Sequence, residues 1–300
     1  MQKPLPVNTD FVGDIHAGYE KFTGLLKKLG YKKRRGVFSH PENRHICFLG
    51  DIINIGSENL KVLKIIRDMC DKGNATCICG NHEFAIYRYW MQNPDFFASR
   101  ILPKNFEIYI PLLTELKTKI RFNEIMEWIG GLPVVKVQTE FVAVHAYWND
   151  EYEKKLFGLS QKELTANIAA LIIDEKNNPL KNIVFNLIYG KRMALADPLN
   201  PFKSIPYRYA WWNTYKESKC NDIVISRNKE KIPNAMVAKD YLTPDTQRPV
   251  FFGHYWLKTK PYLTHPYYCC LDFGGAKGGY LTAYRFDENT ILCDKSLIFI

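Results

Sequence analysis

The chain has 300 residues, of which 46% are hydrophobic and 24% are charged, as in an ordinary soluble globular protein. No leader-like or membrane-spanning apolar run is present, and the eight cysteines form no CxxC pair, so we expect a cytoplasmic protein with free thiols rather than a zinc ribbon. Forty-one basic residues against 31 acidic ones give a net charge of +10, which suits solubility and also attraction to phosphate-rich partners.

The N-terminal part of the chain predicts three strand–loop–helix units in succession. Each begins with a short apolar run, passes through a glycine and a polar turn, and continues into a segment of helical periodicity. Successive units of this kind predict a βαβ-type sheet with ligands at the carboxyl ends of its strands. The predicted strands end near Val12, Leu49 and Cys79, and the first two helices cover residues 19–29 and 59–70.

Residues from about 84 to 130 are aromatic-rich and helical in pattern, and we interpret them as a helical insertion that caps the end of the sheet. Strand character returns between Pro133 and Val144, and again at residues 250–252, 267–271 and 281–286. The polar stretch of residues 221–246 shows no clear period and is expected to be an exposed excursion. Nothing in the composition forces a boundary, so residues 1–300 are predicted to form one domain.

Five predicted strands end in side chains that can bind a metal ion. Any one of them could be a capping or turn residue, but five in succession are hard to attribute to chance. Carboxylate, imidazole and amide oxygen are ligands that Mn²⁺, Fe and Zn²⁺ accept, and a shared carboxylate can hold two ions about 3.5–4 Å apart. The five positions are Asp14 with His16, Asp51, Asn81 with His82, His145, and His254.

These positions lie in a set of short motifs that resembles the calcineurin-like metallophosphoesterases. The single histidine of the last motif is most similar to the phosphoprotein phosphatase and diadenosine tetraphosphatase branch. Further segments at residues 188–190, 207–211 and 271–285 resemble the phosphatase module of bacterial polynucleotide kinase-phosphatases, and without a kinase P-loop the chain would be a stand-alone phosphatase. The motifs are Gly13-Asp14-Ile15-His16, Gly50-Asp51, Gly80-Asn81-His82-Glu83, Val144-His145-Ala146 and Gly253-His254.

The resemblance implies an α/β/β/α sandwich with a helical cap and two divalent metal ions, with Mn²⁺ expected ahead of Fe or Zn. One ion would take Asp14, His16 and Asp51, and the other would take Asp51, Asn81, His145 and His254. Asp272 would lie beside the first ion, and Asn81 would also contact the substrate. The implied reaction is phosphate-ester hydrolysis by a metal-bridging water, with His82 acting on the leaving oxygen.

The second motif departs from the family pattern at two positions. Asn54 stands where the family has Asp, and Ile55 stands where it has Arg. Asn54 could orient His82 by a hydrogen bond but would favour its charged form less. The missing arginine removes a bidentate phosphate clamp, for which Arg88 and Arg208 are candidate replacements. For Arg88 a surface or structural ion pair is the favoured interpretation. For Arg208 such pairing and a role in binding phosphate are equally favoured.

The predicted substrates are phosphate esters of nucleotides or polynucleotides, including RNA ends, with no membrane partner and an undetermined oligomeric state. A protein Ser/Thr or Tyr phosphatase is the alternative of the same class. A catalytically weakened phosphate-binding module, suggested by Asn54 and Ile55, is the alternative of another class. Aromatic and basic residues alternate in segments 207–212 and 255–268, where packing is the common role and nucleobase stacking the rarer one.

Overall fold

A computed structural model describes residues 5–99, 103–156, 164–197, 200–226, 232–288 and 291–300. The strands are β1 (Thr9–Val12), β2 (Lys32–Arg34), β3 (Val37–Ser39), β4 (His45–Phe48), β5 (Ala75–Cys77), β6 (Val135–Val137), β7 (Val142–Val144), β8 (Met193–Asp197), β9 (Asn200–Tyr207), β10 (Val250–Phe252), β11 (Tyr268–Cys270), β12 (Asp272–Phe273), β13 (Tyr280–Phe286) and β14 (Leu297–Phe299). The α-helices are α1 (Tyr19–Lys28), α2 (Asn59–Asp71), α3 (Asn81–Gln92), α4 (Phe96–Ser99), α5 (Ile110–Glu115), α6 (Lys119–Gly130), α7 (Glu151–Leu156), α8 (Ala166–Asp174), α9 (Lys181–Tyr189) and α10 (Cys220–Ile223).

The first sheet has the strand order β12-β13-β1-β4-β5, with β14 paired to β13. Strands β1, β4 and β5 are parallel to one another, and β13 runs antiparallel to β1. The second sheet has the order β11-β10-β7-β6, in which β10 is parallel to both neighbours. The predicted helices α1 and α2 and the three N-terminal strands are therefore confirmed.

The two sheets pack face to face through alternate side chains of their strands. In β1, Phe11 points into the layer between the sheets, where its ring stacks on Phe251 of β10 with centroids 3.8 Å apart. Its neighbour Val12 points the other way and joins the core beneath α1 and α2, as the two-residue period of a strand requires. Helices α8 and α9 join the core on the outer side of the second sheet. This is the predicted α/β/β/α arrangement.

The parallel strands deliver the predicted ligands to one edge of the sandwich. Asp14, Asp51 and Asn81 follow β1, β4 and β5 of the first sheet, and His145 and His254 follow β7 and β10 of the second. Asp272 begins β12 directly after β11.

Helices α3 to α6, together with a 3₁₀ helix at Lys104–Tyr109, occupy the segment predicted to be a helical insertion. Helix α3 begins at Asn81, a little before the expected start, because the carboxylate of Glu83 accepts a hydrogen bond from the backbone N–H of Gly80 and so closes the first turn. Residues 100–102 of the predicted insertion lie outside the described residues.

The stretch at residues 221–246 is less exposed than its polar composition suggested. Ile223, Val224 and Val237 are buried, and Val224 bridges to Tyr209. A few apolar side chains at irregular spacing anchor this segment to the core, which a search for periodicity does not detect. Residues 227–231 of the segment lie outside the described residues.

No helix in the described part of the chain is long and apolar enough to cross a membrane. All eight cysteines are free, and only Cys293 is exposed.

Candidate metal centre

Asp51 is the centre of a buried group of polar side chains. It is 3% exposed, and its carboxylate lies 3.5 Å from Nε2 of His145, 3.7 Å from Nε2 of His16 and 3.8 Å from Nε2 of His82. These distances are too long for hydrogen bonds. The distances to His145 and His16 are close to the spacing of two ligands on one ion, since atoms about 2.1 Å from a metal lie roughly 3–3.6 Å apart.

Backbone carbonyls fix the orientation of two of these imidazoles. Nδ1 of His16 lies 3.1 Å from the carbonyl oxygen of Ile53, and Nδ1 of His145 lies 2.8 Å from that of Leu49. A carbonyl oxygen can only accept, so Nδ1 carries the hydrogen in both rings. Each Nε2 therefore presents a lone pair toward Asp51, as in metal-binding histidines.

Asn81 places its side-chain oxygen among further lone pairs. Its Oδ1 lies 2.6 Å from Nδ1 of His254 and 3.1 Å from Nε2 of His145. In this orientation Oδ1 faces the lone pair on Nε2 of His145, a contact that a cation would resolve. With the amide reversed, the nitrogen of Asn81 would donate to both rings instead.

The carboxylates of the site are crowded. Burial raises the pKa of Asp14 well above its usual range, and the nearby charges of Asp272 and Asp51 add to the rise. Burial also opposes ionisation of Asp51, but His145, His82 and His16 together hold its pKa below the usual value. Buried like charges of this kind need a counter-ion, so the donor set fits divalent metal ions.

Among the described residues, two groups of three side chains have their ligand atoms within 4.8 Å of one another. One group is His16, Asp51 and His82, and the other is Asp51, His145 and His254. The second group agrees with the predicted ligands of the second ion. In the first group His82 is present where Asp14 was expected, although Asp14 remains close, with its Oδ2 3.8 Å from Nε2 of His16. The structure therefore brings together all the residues predicted as metal ligands, with Asp272 beside Asp14.

His82 is held by Asn54, as the sequence predicted. Nδ2 of Asn54 lies 3.1 Å from Nδ1 of His82. Because the amide nitrogen can only donate, Nδ1 accepts and Nε2 carries the hydrogen. Burial lowers the pKa of His82 to about 4, an effect that Asp51 partly offsets. His82 is thus a neutral imidazole with one N–H directed toward the carboxylate of Asp51.

Glu83 has a structural role that the sequence analysis missed. It is fully buried, and its carboxylate accepts hydrogen bonds from the backbone N–H groups of Asp51, Ile52 and Ile53 at 2.8–3.1 Å. These contacts fix the loop that carries Asp51 and Asn54. The available signal was Glu83 three residues after Gly80, the position at which a capping box has its glutamate.

A cavity of about 140 Å³ opens over the ligands, and Ile55, Ile108, Arg208, Trp256 and Lys277 complete its wall. Ile55 thus lies in this wall with an apolar side chain. Nη1 of Arg208 donates to the carbonyl oxygen of His254 at 3.0 Å. Lys277, which the sequence analysis did not single out, places its ammonium 4.1 Å from the ring centroid of Trp256.

Arg88 is not among the described residues that line this cavity. Its guanidinium pairs with Asp174 of α8, with Nη2 2.5 Å from the carboxylate, and both side chains are about one-third exposed. The structure therefore places Arg88 in a partly exposed ion pair between α3 and α8, the structural pairing favoured for it from the sequence.

Comparison with known proteins adds a family and a set of relatives. The profile of the family described as calcineurin-like phosphoesterase matches residues 8–254. The bis(5'-nucleosyl)-tetraphosphatase PrpE [asymmetrical] of Halalkalibacterium halodurans is 38% identical over 80 residues, which are 27% of this chain and 32% of that protein. The protein of the same name from Bacillus subtilis is 36% identical over 85 residues, 28% of this chain and 35% of that protein. The chain matches about one third of the length of these relatives.

Solved structures are similar in fold at low sequence identity. A putative diadenosine tetraphosphatase superposes with a TM-score of 0.52 at 16% identity, covering 99% of this chain and 95% of that one. A cold-active protein-tyrosine phosphatase of a psychrophilic Shewanella gives 0.50 at 16% identity, covering 96% and 78%. These similarities concern the fold alone.

Proposed function

The chain belongs to the calcineurin-like phosphoesterase family, and from this premise we propose that it hydrolyses phosphate esters of nucleotides or polynucleotides with two divalent metal ions. The convergence of imidazole, amide and carboxylate ligands on Asp51 is the observation that carries the proposal. The names of the curated relatives and the net charge of +10 support nucleotide phosphates.

In this proposal Asp51 would bind both ions. Asp14 and His16 would complete one site, and Asn81, His145 and His254 would complete the other. Mn²⁺ suits this mixture of nitrogen and oxygen ligands. When bound, such a pair of ions polarises a phosphoryl group and makes a nucleophile available from water near neutral pH.

The other roles fall to side chains around the cavity. The Nε2–H of His82 donates a hydrogen bond to the oxygen that leaves, and Asn54 keeps that hydrogen in place. Arg208 supplies positive charge for the phosphate at the wall of the cavity, where Ile55 contributes none. Asn81 serves both as a metal ligand and as a contact to the substrate.

A substrate panel tests the proposal. Metal-free protein is assayed with and without Mn²⁺ on a dinucleoside tetraphosphate, on RNA bearing a 2′- or 3′-phosphate, and on phosphopeptides. We expect Mn²⁺-dependent hydrolysis of the nucleotide or RNA esters. Faster turnover of phosphopeptides would instead support a protein phosphatase. Bound metal without any hydrolysis would support a phosphate-binding module.

Replacing Asp51 with Asn tests the shared ligand. We expect Asp51→Asn to lose both ions and to reduce hydrolysis at least 1000-fold, since one change removes a ligand of two metals. Metal content and turnover are measured in parallel. Asp68→Asn, which alters a carboxylate on the surface of α2, is the matched control. Full activity in Asp51→Asn would contradict the assignment.

A further inference from the structure

A second and larger cavity, of about 520 Å³, adjoins the metal centre. Three chain segments form its wall, at residues 208–213, 222–226 and 255–270. Arg208 and Trp256 line both this cavity and the smaller one over the metal ligands. A ligand could therefore extend from one cavity into the other across these two side chains.

The volumes of the two cavities indicate different occupants. The cavity over the metal ligands, at about 140 Å³, is smaller than the roughly 300–1,000 Å³ of sites that hold drug-sized molecules. It can accommodate little beyond metal ions and a phosphoryl group. The adjoining cavity lies inside that range, so it is where the rest of a substrate can be bound.

The lining of the adjoining cavity suits an aromatic group bearing polar substituents. Trp212, Trp256 and Tyr262 contribute rings, and Asn213 and Thr264 contribute hydrogen-bonding groups. Tyr262 is 51% exposed, so its ring is accessible for stacking. Among the charged residues of the lining, Arg208 and Lys258 outnumber Asp222, and this excess of positive charge suits a polyanion.

Trp256 forms the wall between the cavities in a fixed and unusual conformation. Its φ is +48°, in a region that bulky residues rarely adopt. Its backbone N–H donates to Asp272 at 2.5 Å, and the lack of a side chain at Gly274 makes room for the indole, since a Cβ there would lie 2.3 Å from its Nε1. Asp272 of the metal centre thus fixes the backbone of Trp256, and Gly274 leaves the space that its ring occupies.

We propose that the adjoining cavity binds the nucleoside of the substrate, with its base stacked on the ring of Tyr262 and Arg208 lying between base and phosphate. This inference rests on the proposed function and adds the site that recognises the substrate. A nucleoside fills the cavity better than the single phenyl ring of a phosphotyrosine and uses its polar groups.

The test compares two phosphate esters in two tyrosine variants. Tyr262→Ala removes an accessible ring of the cavity, and Tyr215→Ala removes a ring of similar exposure, 49%, that does not line it. For each protein the ratio of kcat/KM for a nucleotide ester to that for glycerol 2-phosphate is measured. We expect this ratio to fall about 5- to 100-fold in Tyr262→Ala, the range typical of one lost stacking contact, and to stay constant in Tyr215→Ala.

An unchanged ratio in Tyr262→Ala, or an equal fall in both variants, would overturn the inference. If the wild-type protein hydrolyses neither ester, the proposed function fails, and binding is then measured directly. Adenosine should quench tryptophan fluorescence in the wild-type protein more strongly than in Tyr262→Ala. Quenching by a phosphotyrosyl peptide but not by adenosine would assign the cavity to peptides and overturn the inference.

Discussion

Burial keeps His82 neutral, and a neighbouring amide side chain orients its ring. A carboxylate beside Nδ1 would favour an imidazolium, whereas the amide nitrogen of Asn54 supplies a hydrogen bond and leaves the ring neutral. The sequence was sufficient to predict this contact, since Asn54 occupies a defined place in a short motif. The role of Lys277 could not be predicted, because its proximity to Trp256 depends on how distant loops pack.

The two candidate arginines are expected to differ in their effect on substrate binding. Arg208→Met removes a cation from the wall of the cavity, and we expect kcat/KM to fall about 10- to 100-fold, mostly through KM, as for a lost hydrogen bond to a charged group. Arg88→Met breaks a partly exposed ion pair and should change kcat/KM less than twofold. Metal content is measured for both, because Arg208 also contacts the carbonyl oxygen of His254. A larger effect from Arg88 would contradict this assignment.

At the level of elements, hydrogen bonds from the helical insertion stabilise the start of α2 and, through it, the loop that carries Asn54. Glu115 of α5 accepts hydrogen bonds from the backbone N–H groups of Asn59 and Leu60 at the start of α2, at 2.9 and 2.8 Å. Asn59 in turn accepts from the backbone N–H of Asn54. The strand ends could be predicted because a polar residue follows an apolar run within a few positions. The cap on α2 could not, because its donor and acceptor residues are far apart in the chain.

Replacing Glu115 with Ala should therefore destabilise the protein. The N–H groups of Asn59 and Leu60 would lose their acceptor, and we expect the free energy of unfolding to fall by about 0.5–2 kcal/mol, the usual range for a lost N-terminal cap. Urea unfolding of Glu115→Ala measures the change. Glu107→Ala, at an exposed position of the same insertion, is the control and should unfold like the wild-type protein. Equal stability of the two variants would exclude a capping role.

For the whole molecule, the two-sheet architecture could be predicted from the order of the predicted elements, whereas the larger cavity could not. Strand and helix periods are local signals, so they determine which residues enter the layers of the sandwich. The cavity is lined by separate parts of the chain that lie mostly outside the strands, so no local period marks its residues. Buried apolar residues at irregular spacing, such as Ile223 and Val224, hold one of these segments in place.

Stability should depend on pH through His45 of β4. This side chain is 7% exposed, and burial lowers its pKa from 6.5 to about 4. Above pH 6.5 the ring is neutral in both folded and unfolded chains. As the pH falls from 6.5 to 4, the unfolded chain binds a proton that the folded chain resists, and stability decreases by up to about 3 kcal/mol.

The free energy of urea unfolding at pH 7.5 and at pH 4.5 checks this expectation in the wild-type protein and in His45→Gln. The variant lacks the titrating ring but can still bond to Thr76. Between the two pH values, the free energy of unfolding of His45→Gln should fall by up to about 3 kcal/mol less than that of the wild-type protein. An identical loss in both proteins would show that other groups cause the pH dependence.

The ligands around Asp51 come from both layers of the sandwich, since Asp51 follows a strand of the first sheet whereas His145 and His254 follow strands of the second. An ion bound there is also a cross-link between the sheets. If it binds only the folded chain, its concentration enters the folding equilibrium, and at 100 times its Kd it contributes about 2.7 kcal/mol. The stability of this protein would then vary with the concentration of metal around it, and the ions that stabilise the fold would be the same ions that catalysis requires.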